Sequence, residues 1–177
     1  FTPFKEIIKT IKSSTDVFIN NIVPNFYNAF SSILLGFVGG DVANGILDAG
    51  RKFVNIAEQL LSVISRVFFP FLARKGEKHG LYAKINITIS VVMAIFLFVF
   101  APLIIRTFFT SEFENSIIVL RILSISIISG SLKNIYAFNY MILRGYEKQS
   151  RNIMIICSLI GFLLAFPLVT KYLYIGV

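Results

Sequence analysis

Residues 45–74 read GILDAGRKFVNIAEQLLSVISRVFFPFLAR, and this apolar stretch carries polar groups along one side. The polar groups recur at alternating spacings of four and three, which places them on one face of an α-helix. They are Asp48, Lys52, Asn55, Gln59, Ser62 and Arg66, and the same face is widened by Arg51, Glu58 and Ser65. Such a helix would measure about 40 Å, enough to cross a hydrocarbon core of about 30 Å. The pattern predicts a membrane-spanning helix with one polar face.

An amphipathic helix of a soluble protein is the first alternative, and the composition of the whole chain argues against it. Hydrophobic residues make up 56% of the 177 residues and charged residues only 15%, with a mean hydropathy of +0.79. These values lie outside the range of ordinary soluble domains. Local ion pairing of Asp48 and snorkelling of Arg66 to the headgroups remain as alternatives to a polar cavity. We favour the cavity, because ionisable groups within a span are costly and usually face one.

The rest of the chain divides into further apolar stretches separated by polar turns. The predicted spans are 17–38, 45–72, 85–109, 116–143 and 152–173. Residues 1–16 precede them and alternate lysines with apolar residues, which is typical of an amphipathic helix at the cytoplasmic surface, although a solvated charged face explains the lysines equally well. The expected fold is therefore all-α, a polytopic transmembrane bundle of about five spans. Because Phe1 follows no initiator Met, we expect a piece of a longer protein.

Two other spans carry polar groups that are unusual for helices meeting only lipid. The first holds Asn21, Asn25, Asn28 and Ser32 on one face, and cavity lining and hydrogen bonding between helices explain these amides equally well. The fourth holds Arg121 and Lys133 within apolar sequence. Its predicted polar face comprises Ser126, Ser129, Lys133, Tyr136 and Tyr140. Small packing serines and interfacial tyrosines are the alternative there, but Lys133 lies far from either predicted end, so we favour cavity lining.

Histidine and cysteine offer little chemistry. His79 is the single histidine and falls in the turn at residues 74–84, where a solvent-exposed position is expected. Cys157 is the single cysteine, so no disulfide within this chain exists and a buried inert thiol is expected. The sequence therefore indicates no clustered metal site and no histidine-based triad.

The charges of the turns predict an orientation. Residues 1–16, 74–84 and 144–151 are basic, whereas residues 39–48 and 110–115 carry acids and no base. Short cytoplasmic loops are enriched in Lys and Arg, so the regular alternation places the N-terminal segment and the basic turns in the cytoplasm. The net charge of +8 then describes membrane topology, and we do not interpret it as nucleic-acid binding.

Several short motifs occur in an order that resembles a known family. They are Gly45 followed by Gly50 and Lys52 in a helix closed by FPFLAR at 69–74, then FAPLII at 100–105, VLRIL at 119–123, LRGYEK at 143–148 and YIGV at 174–177. In this combination the chain resembles the polysaccharide flippases, the Wzx-type exporters of O-antigen and capsule repeat units within the MATE-like exporter superfamily. The resemblance implies a fold of two helical bundles around a central cavity, of which this chain would form most of the second.

The resemblance also implies a function without bond breaking, and hence no enzyme activity. A polyprenyl-diphosphate-linked oligosaccharide would pass from the cytoplasmic to the outer leaflet of the bacterial inner membrane by alternating access. The expected path residues are Asn28, Arg51, Lys52, Asn55, Gln59, Arg66, Arg121 and Lys133. Expected partners are the lipid-linked oligosaccharide, membrane lipids, the first bundle of the same chain and other polysaccharide-assembly proteins. No cofactor is expected, and whether H⁺ or Na⁺ drives transport is left open.

Two other functions stay open at this point. A multidrug or cation antiporter of the same superfamily would share the fold, although its cationic substrates favour an acidic cavity. A membrane enzyme acting on the same lipid-linked glycan, such as a polymerase, would also have many spans, but the turns predicted outside are short. A purely structural membrane subunit is a third alternative, and its paired polar faces would be costly.

Overall fold

The computed structural model describes residues 4–74 and 79–177, and every regular element in these ranges is helical. Helix α1 spans Phe4–Arg74, α2 spans His79–Phe108, α3 spans Ser116–Leu132 and α4 spans Glu147–Tyr172. A π-helical segment, Lys133–Ile142, continues α3 directly, and single 3₁₀ turns cover Ser111–Phe113 and Leu173–Ile175. The predicted all-α fold is confirmed. The proposed amphipathic faces of residues 1–16 lie largely outside the described residues.

Helix α1 is two helices joined at Gly40. This residue has φ 72° and ψ −175°, a backbone conformation that is essentially restricted to glycine. The Arg51 guanidinium donates a hydrogen bond of 2.9 Å to the Ser32 hydroxyl, 19 residues earlier. In a continuous helix these residues would lie about 28 Å apart. The chain therefore turns back at Gly40, and α1 consists of a first limb, residues 4–39, and a second limb, residues 41–74.

The helices then alternate in direction. Phe53 contacts Phe108 while Phe68 contacts Tyr82, so α2 runs antiparallel to the second limb. The contacts of α3 with α2 reverse the direction again, because Ser131 bonds Asn86 whereas Arg121 lies against Phe98. Helix α4 runs parallel to the first limb of α1, as two contacts show. Phe30 stacks on Phe162, and Leu35 shares an apolar cluster with Val169.

Within the described residues, four helices are long and apolar enough to cross a membrane: Asn25–Arg74, His79–Phe108, Ser116–Ile142 and Glu147–Ile175. The polytopic character of the bundle is thereby confirmed. The first of the four contains the reversal at Gly40, so it includes parts of both limbs. Five separate passes, with the bounds given above, stay a prediction.

Charges separate to the two ends of the bundle. At the end where α1 finishes and α2 begins, which we call the basic end, the described charged residues are Arg74, Lys84, Arg144, Lys148, Arg151 and Glu147. The opposite end, called the Gly40 end, holds the acids Asp41, Glu112 and Glu114 together with the bases Arg106 and Lys171, so its net charge is far less positive. There, Arg106 forms an ion pair of 2.5 Å with Glu114. Both side chains are more than half exposed, so this pair contributes little to stability.

Apolar packing concentrates along the second limb. Val54, Ala57 and Leu61 are buried against residues of α2 and α3, including Ala101 and Ile127. A further close approach occurs at Gly50, where a Cβ atom would stand 2.7 Å from Val119 Cγ1 and 3.1 Å from the backbone nitrogen of Leu120. Small residues at such crossings let two helix backbones approach, as is common in membrane bundles. This packing leaves the polar face of the second limb directed away from α2.

The reversal at Gly40 leads to a prediction. Replacing Gly40 by alanine should destabilise the protein by about 1–3 kcal/mol, because alanine must adopt a conformation reserved for glycine. Gly80→Ala is the matched control, since a Cβ atom at either position meets nothing within 4 Å and only Gly40 has a positive φ. Thermal unfolding of the purified full-length protein in detergent measures both variants. Equal melting temperatures for the two would contradict the assigned backbone conformation.

Candidate functional site

A cavity of about 660 Å³ opens between both limbs of α1, α3 and the π-helical segment. The first limb contributes Asn25 and Asn28, and the second contributes the polar face recognised in the sequence from Asn55 to Arg66. The full lining set is Asn25, Asn28, Asn55, Glu58, Gln59, Leu61, Ser62, Ser65, Arg66, Phe69, Ile127, Gly130, Ser131, Lys133, Asn134, Phe138 and Asn139. Amide side chains are the commonest group in this wall.

Five of the eight predicted path residues line this cavity: Asn28, Asn55, Gln59, Arg66 and Lys133. Their roles in binding stay predictions. The Arg66 guanidinium folds back on its own helix and donates to the Ser62 hydroxyl at 3.3 Å and, at 3.4 Å, to the Ser62 carbonyl. Lys133 is exposed at the first residue of the π-helical segment.

The structure puts the other three predicted residues outside the cavity lining. Arg51 is half-buried and bonds Ser32 between the limbs, which links the two halves of α1. Lys52 is exposed closer to Gly40, beyond the cavity. Arg121 reaches across to α2, where its guanidinium lies 5.6 Å from the centre of the Phe98 ring and donates to the Phe98 carbonyl at 3.4 Å.

The polar face expected on the fourth span differs from the one observed. Of its five members only Lys133 lines the cavity. Ser126 bonds its own helix at Leu123, and Tyr140 contacts His79 and Arg144. The prediction assumed α-helical winding throughout, whereas residues 133–142 are π-helical. A π-helix bonds residue i to i+5, so side chains four or five apart share a face, and Asn134, Phe138 and Asn139 reach the cavity instead.

Glu58 is an acid within this otherwise cationic and amide-lined wall. Its carboxylate approaches α3 closely, because a Cβ atom at Gly130 would stand 3.2 Å from Glu58 Oε1. The charged groups that line the cavity are therefore one acid, Glu58, and two bases, Arg66 and Lys133, among the residues that the structure describes.

A buried hydrogen-bond network forms one side of the cavity. The Asn139 amide donates to the Ser65 hydroxyl at 2.8 Å and to the Tyr82 hydroxyl at 2.7 Å. Asn86 donates to Tyr82 at 3.3 Å and accepts a bond of 2.5 Å from the Ser131 hydroxyl. All five side chains are buried, so these bonds join the second limb, α2, α3 and the π-helical segment where water does not compete. Sequence reasoning missed this network, since nothing in the spacing connects residues of three helices.

His79 does not occupy the exposed turn expected from the sequence. It is the first residue of α2 and is half-buried, with Nε2 3.2 Å from the Ile135 carbonyl oxygen. Its ring also packs edge-on against Tyr140, 5.1 Å between centroids. The expectation was wrong because α2 begins earlier than the apolar run does, which brings the histidine against the π-helical segment. Cys157 is likewise exposed rather than buried.

Among residues 4–74 and 79–177, no group of three or more His, Cys, Asp and Glu side chains could hold a metal ion. The site therefore consists of amides, hydroxyls, three charged groups and two aromatic rings, Phe69 and Phe138. Such a wall can bind sugar hydroxyls and an anionic group through hydrogen bonds.

Comparison with known proteins yields a matching family model and similar named proteins. Residues 1–75 match the family model described as "Polysaccharide biosynthesis protein". A protein of Escherichia coli K12 named "Putative O-antigen transporter" is 27% identical over 176 residues, covering 95% of this chain and 42% of its own length. A protein of the same name from Shigella dysenteriae is also 27% identical, over 173 residues, covering 95% of this chain and 44% of its own length. The resemblance to the polysaccharide flippases is confirmed.

The chain spans less than half the length of these two relatives. The family match covers both limbs of α1 completely, and these two elements supply most of the cavity wall. No solved structure matches the chain significantly.

The buried network leads to a second prediction. Asn86→Leu removes one donor and one acceptor, leaving the Ser131 hydroxyl without its partner, and should lower the free energy of unfolding by about 1–2 kcal/mol. Thr88→Val is the matched control on the same helix, because Thr88 is exposed. Thermal unfolding of both full-length variants in detergent checks the difference. A loss no greater than that of Thr88→Val would mean that the network does not stabilise the bundle.

Proposed function

We propose that the full-length protein containing this chain moves polyprenyl-diphosphate-linked oligosaccharide repeat units from the cytoplasmic to the outer leaflet. The observation that carries the proposal is a cavity lined by amides and two cations inside a bundle whose other exposed faces are largely apolar. The two relatives are named as putative O-antigen transporters, which supports a transport role for this protein.

The chemistry of the cavity suits each part of such a substrate. Moving several sugars and a diphosphate through hydrocarbon is prohibitively costly, because every hydroxyl loses its hydrogen bonds to water. The amides of Asn28, Asn55 and Gln59 can replace those bonds, since each amide both donates and accepts. Arg66 and Lys133 supply positive charge for the diphosphate, and arginine can bind a phosphate with two parallel bonds.

The proposed mechanism is alternating access, in which two bundles rock about a shared cavity. The polar headgroup crosses inside the cavity while the polyprenyl tail stays in lipid. The binding partner for the open side of the cavity is the remainder of the longer chain. No covalent bond changes, so the protein is proposed to be a transporter and not an enzyme, with no cofactor; the coupling ion, H⁺ or Na⁺, is left open.

The charge separation supports an orientation in the bacterial inner membrane. Arg74, Arg144 and Lys148 lie at the basic end, and the positive-inside tendency favours this end in the cytoplasm. Helix α4 and the first limb of α1 run parallel, as expected of the first and fifth members of an alternating series. The N-terminal segment would then be cytoplasmic, and the passes would number five.

A cation exporter of the same superfamily is the second candidate, and Glu58 favours it. A carboxylate in a cavity that also contains the aromatic rings Phe69 and Phe138 could bind an organic cation. The neighbouring charges Lys133 and Arg66 oppose that use, because like charges repel a cationic substrate. A polymerase acting on the same glycan has no feature of this cavity in its favour, since no candidate catalytic constellation lies among the described lining residues.

A transport prediction follows from the two cations of the cavity. Lys133→Ala and Arg66→Ala in the full-length protein should each reduce export of surface polysaccharide about tenfold, the loss of one charge-assisted contact of about 1.5 kcal/mol. Lys84→Ala removes an exposed lysine of α2 outside the cavity and is the matched control. Surface polysaccharide is measured in cells that carry each variant as the sole copy, with membrane insertion checked by immunoblot.

Two outcomes of that experiment would count against the proposal. Normal export by both cavity variants would remove these cations from the substrate path. Equal loss in Lys84→Ala would show that the effect follows from net charge and not from the cavity. Lys52→Ala belongs in the same series, because its place in the path stays a prediction from the sequence.

A further inference from the structure

The π-helical segment Lys133–Ile142 is unusual in its length. π-Helical winding is rare, occurs mostly as single turns and is frequent at functional sites, whereas this segment covers 10 residues. It contributes Lys133, Asn134, Phe138 and Asn139 to the cavity. The winding therefore decides which side chains of this element reach the proposed substrate.

Two rows of side chains show the consequence of π-helical winding, which has more residues per turn than an α-helix. The row that packs inward comprises Ile127, Ser131, Ile135 and Asn139, each at most 2% exposed. The neighbouring row comprises Gly130, Asn134 and Phe138, which line the cavity together with Ile127, Ser131 and Asn139 of the first row. Both rows repeat every fourth residue, and on an α-helix of 3.6 residues per turn each such step drifts by about 40°. From Ile127 to Asn139 the drift would reach about 120°, which would turn Asn139 away from its partners.

Specific bonds hold the segment in this register. Asn139 donates to Ser65 on the second limb and to Tyr82 on α2, at 2.8 and 2.7 Å. Three residues after the start of α2, Tyr82 also packs with Ile135 and Leu72 in a buried cluster. His79 adds a contact of 3.2 Å to the Ile135 carbonyl oxygen. Ser131, which precedes the π-helical segment, is fixed to Asn86, so the inward row is anchored to α2 at both Ser131 and Asn139.

We propose that Asn139 is a positioning residue, whose bonds to Ser65 and Tyr82 hold residues 133–142 in π-helical winding and so determine the polar wall of the cavity. Without these bonds the segment rewinds as a continuation of α3. Ala137 lies seven residues, about two α-helical turns, after Gly130, so rewinding brings Ala137 to the cavity face in place of Asn139. The consequence for transport rests on the proposed function, but the change of winding does not.

Cysteine accessibility tests the winding directly. Asn134→Cys and Ala137→Cys are made singly in the full-length protein after its native cysteines, including Cys157, are replaced. Each is labelled in membranes with a membrane-impermeant, positively charged methanethiosulfonate reagent. With Asn139 present, position 134 should label and position 137, which is half-buried outside the lining set, should label at least fivefold more slowly.

Removal of the Asn139 side chain should change the labelling rate at position 137 and leave the rate at position 134 unchanged. In the Asn139→Leu background, Ala137→Cys should gain labelling to within about twofold of Asn134→Cys, while Asn134→Cys keeps its rate because position 134 faces the cavity in either winding. Tyr82→Phe is the second variant, since it removes only the hydroxyl that accepts from Asn139 and keeps the ring contact with Phe68. In the Tyr82→Phe background, the labelling rate of Ala137→Cys should also rise, but by a smaller factor. General unfolding is recognised by a rise at both positions and at exposed Thr88→Cys of α2.

Three results would overturn the inference. Position 137 could label as fast as 134 with Asn139 present, which would exclude the π-helical register. It could stay unlabelled in both Asn139→Leu and Tyr82→Phe, which would show that the winding does not depend on this anchor. If both variants unfold by the criterion above, the bonds are a general requirement of the fold and not a positioning device. Loss of transport in Lys133→Ala is independent of all three, so failure of the winding and failure of the proposed function are distinguishable.

Discussion

A polar group inside a membrane must face water or another polar group, and most of this structure follows from that constraint. The second limb of α1 is apolar on the side that packs against α2 and α3 and polar on the side that lines the cavity. The first limb can meet that polar side because the chain turns back at Gly40. The Ser32–Arg51 bond fixes the two limbs together near the turn, while the cavity opens farther along, toward the basic end.

The same constraint explains the division of polar residues into two groups. Where the helices touch, polar side chains bond each other fully, as Asn139, Tyr82 and Asn86 do. Where they diverge, the amides of Asn28, Asn55 and Gln59 line open space. The buried network thus holds the wall in place, and the open amides remain available to a hydrated ligand. A bundle of purely structural function would have no use for the second group, since each amide costs free energy when it faces lipid.

Much of this site could be read from the sequence because α-helical spacing is regular. Asn55, Gln59 and Arg66 follow from the alternation of three and four along one helix, and Lys133 from its isolation within apolar residues. The same assumption of α-helical spacing gave a wrong polar face for the fourth span. There, π-helical winding brings Asn134 and Asn139 to the cavity and leaves Tyr136 and Tyr140 outside its lining. The period-four spacing of Ile127, Ser131, Ile135 and Asn139 is present in the sequence. Its meaning is recognisable only once the packing partners on α2 are known, as is the half-buried place of His79.

The leaflet in which lipid-linked repeat units accumulate tests the central claim most directly. Cells lacking the full-length protein are converted to spheroplasts, and their polyprenyl-diphosphate-linked glycans are extracted with and without treatment by an external glycosidase. We predict that single repeat units accumulate in a form protected from the enzyme and that surface polysaccharide is lost. Restoring the intact gene should clear the accumulated repeat units and return the surface polysaccharide. Single repeat units that the glycosidase can reach would contradict this prediction, because the substrate would then cross the membrane without this protein.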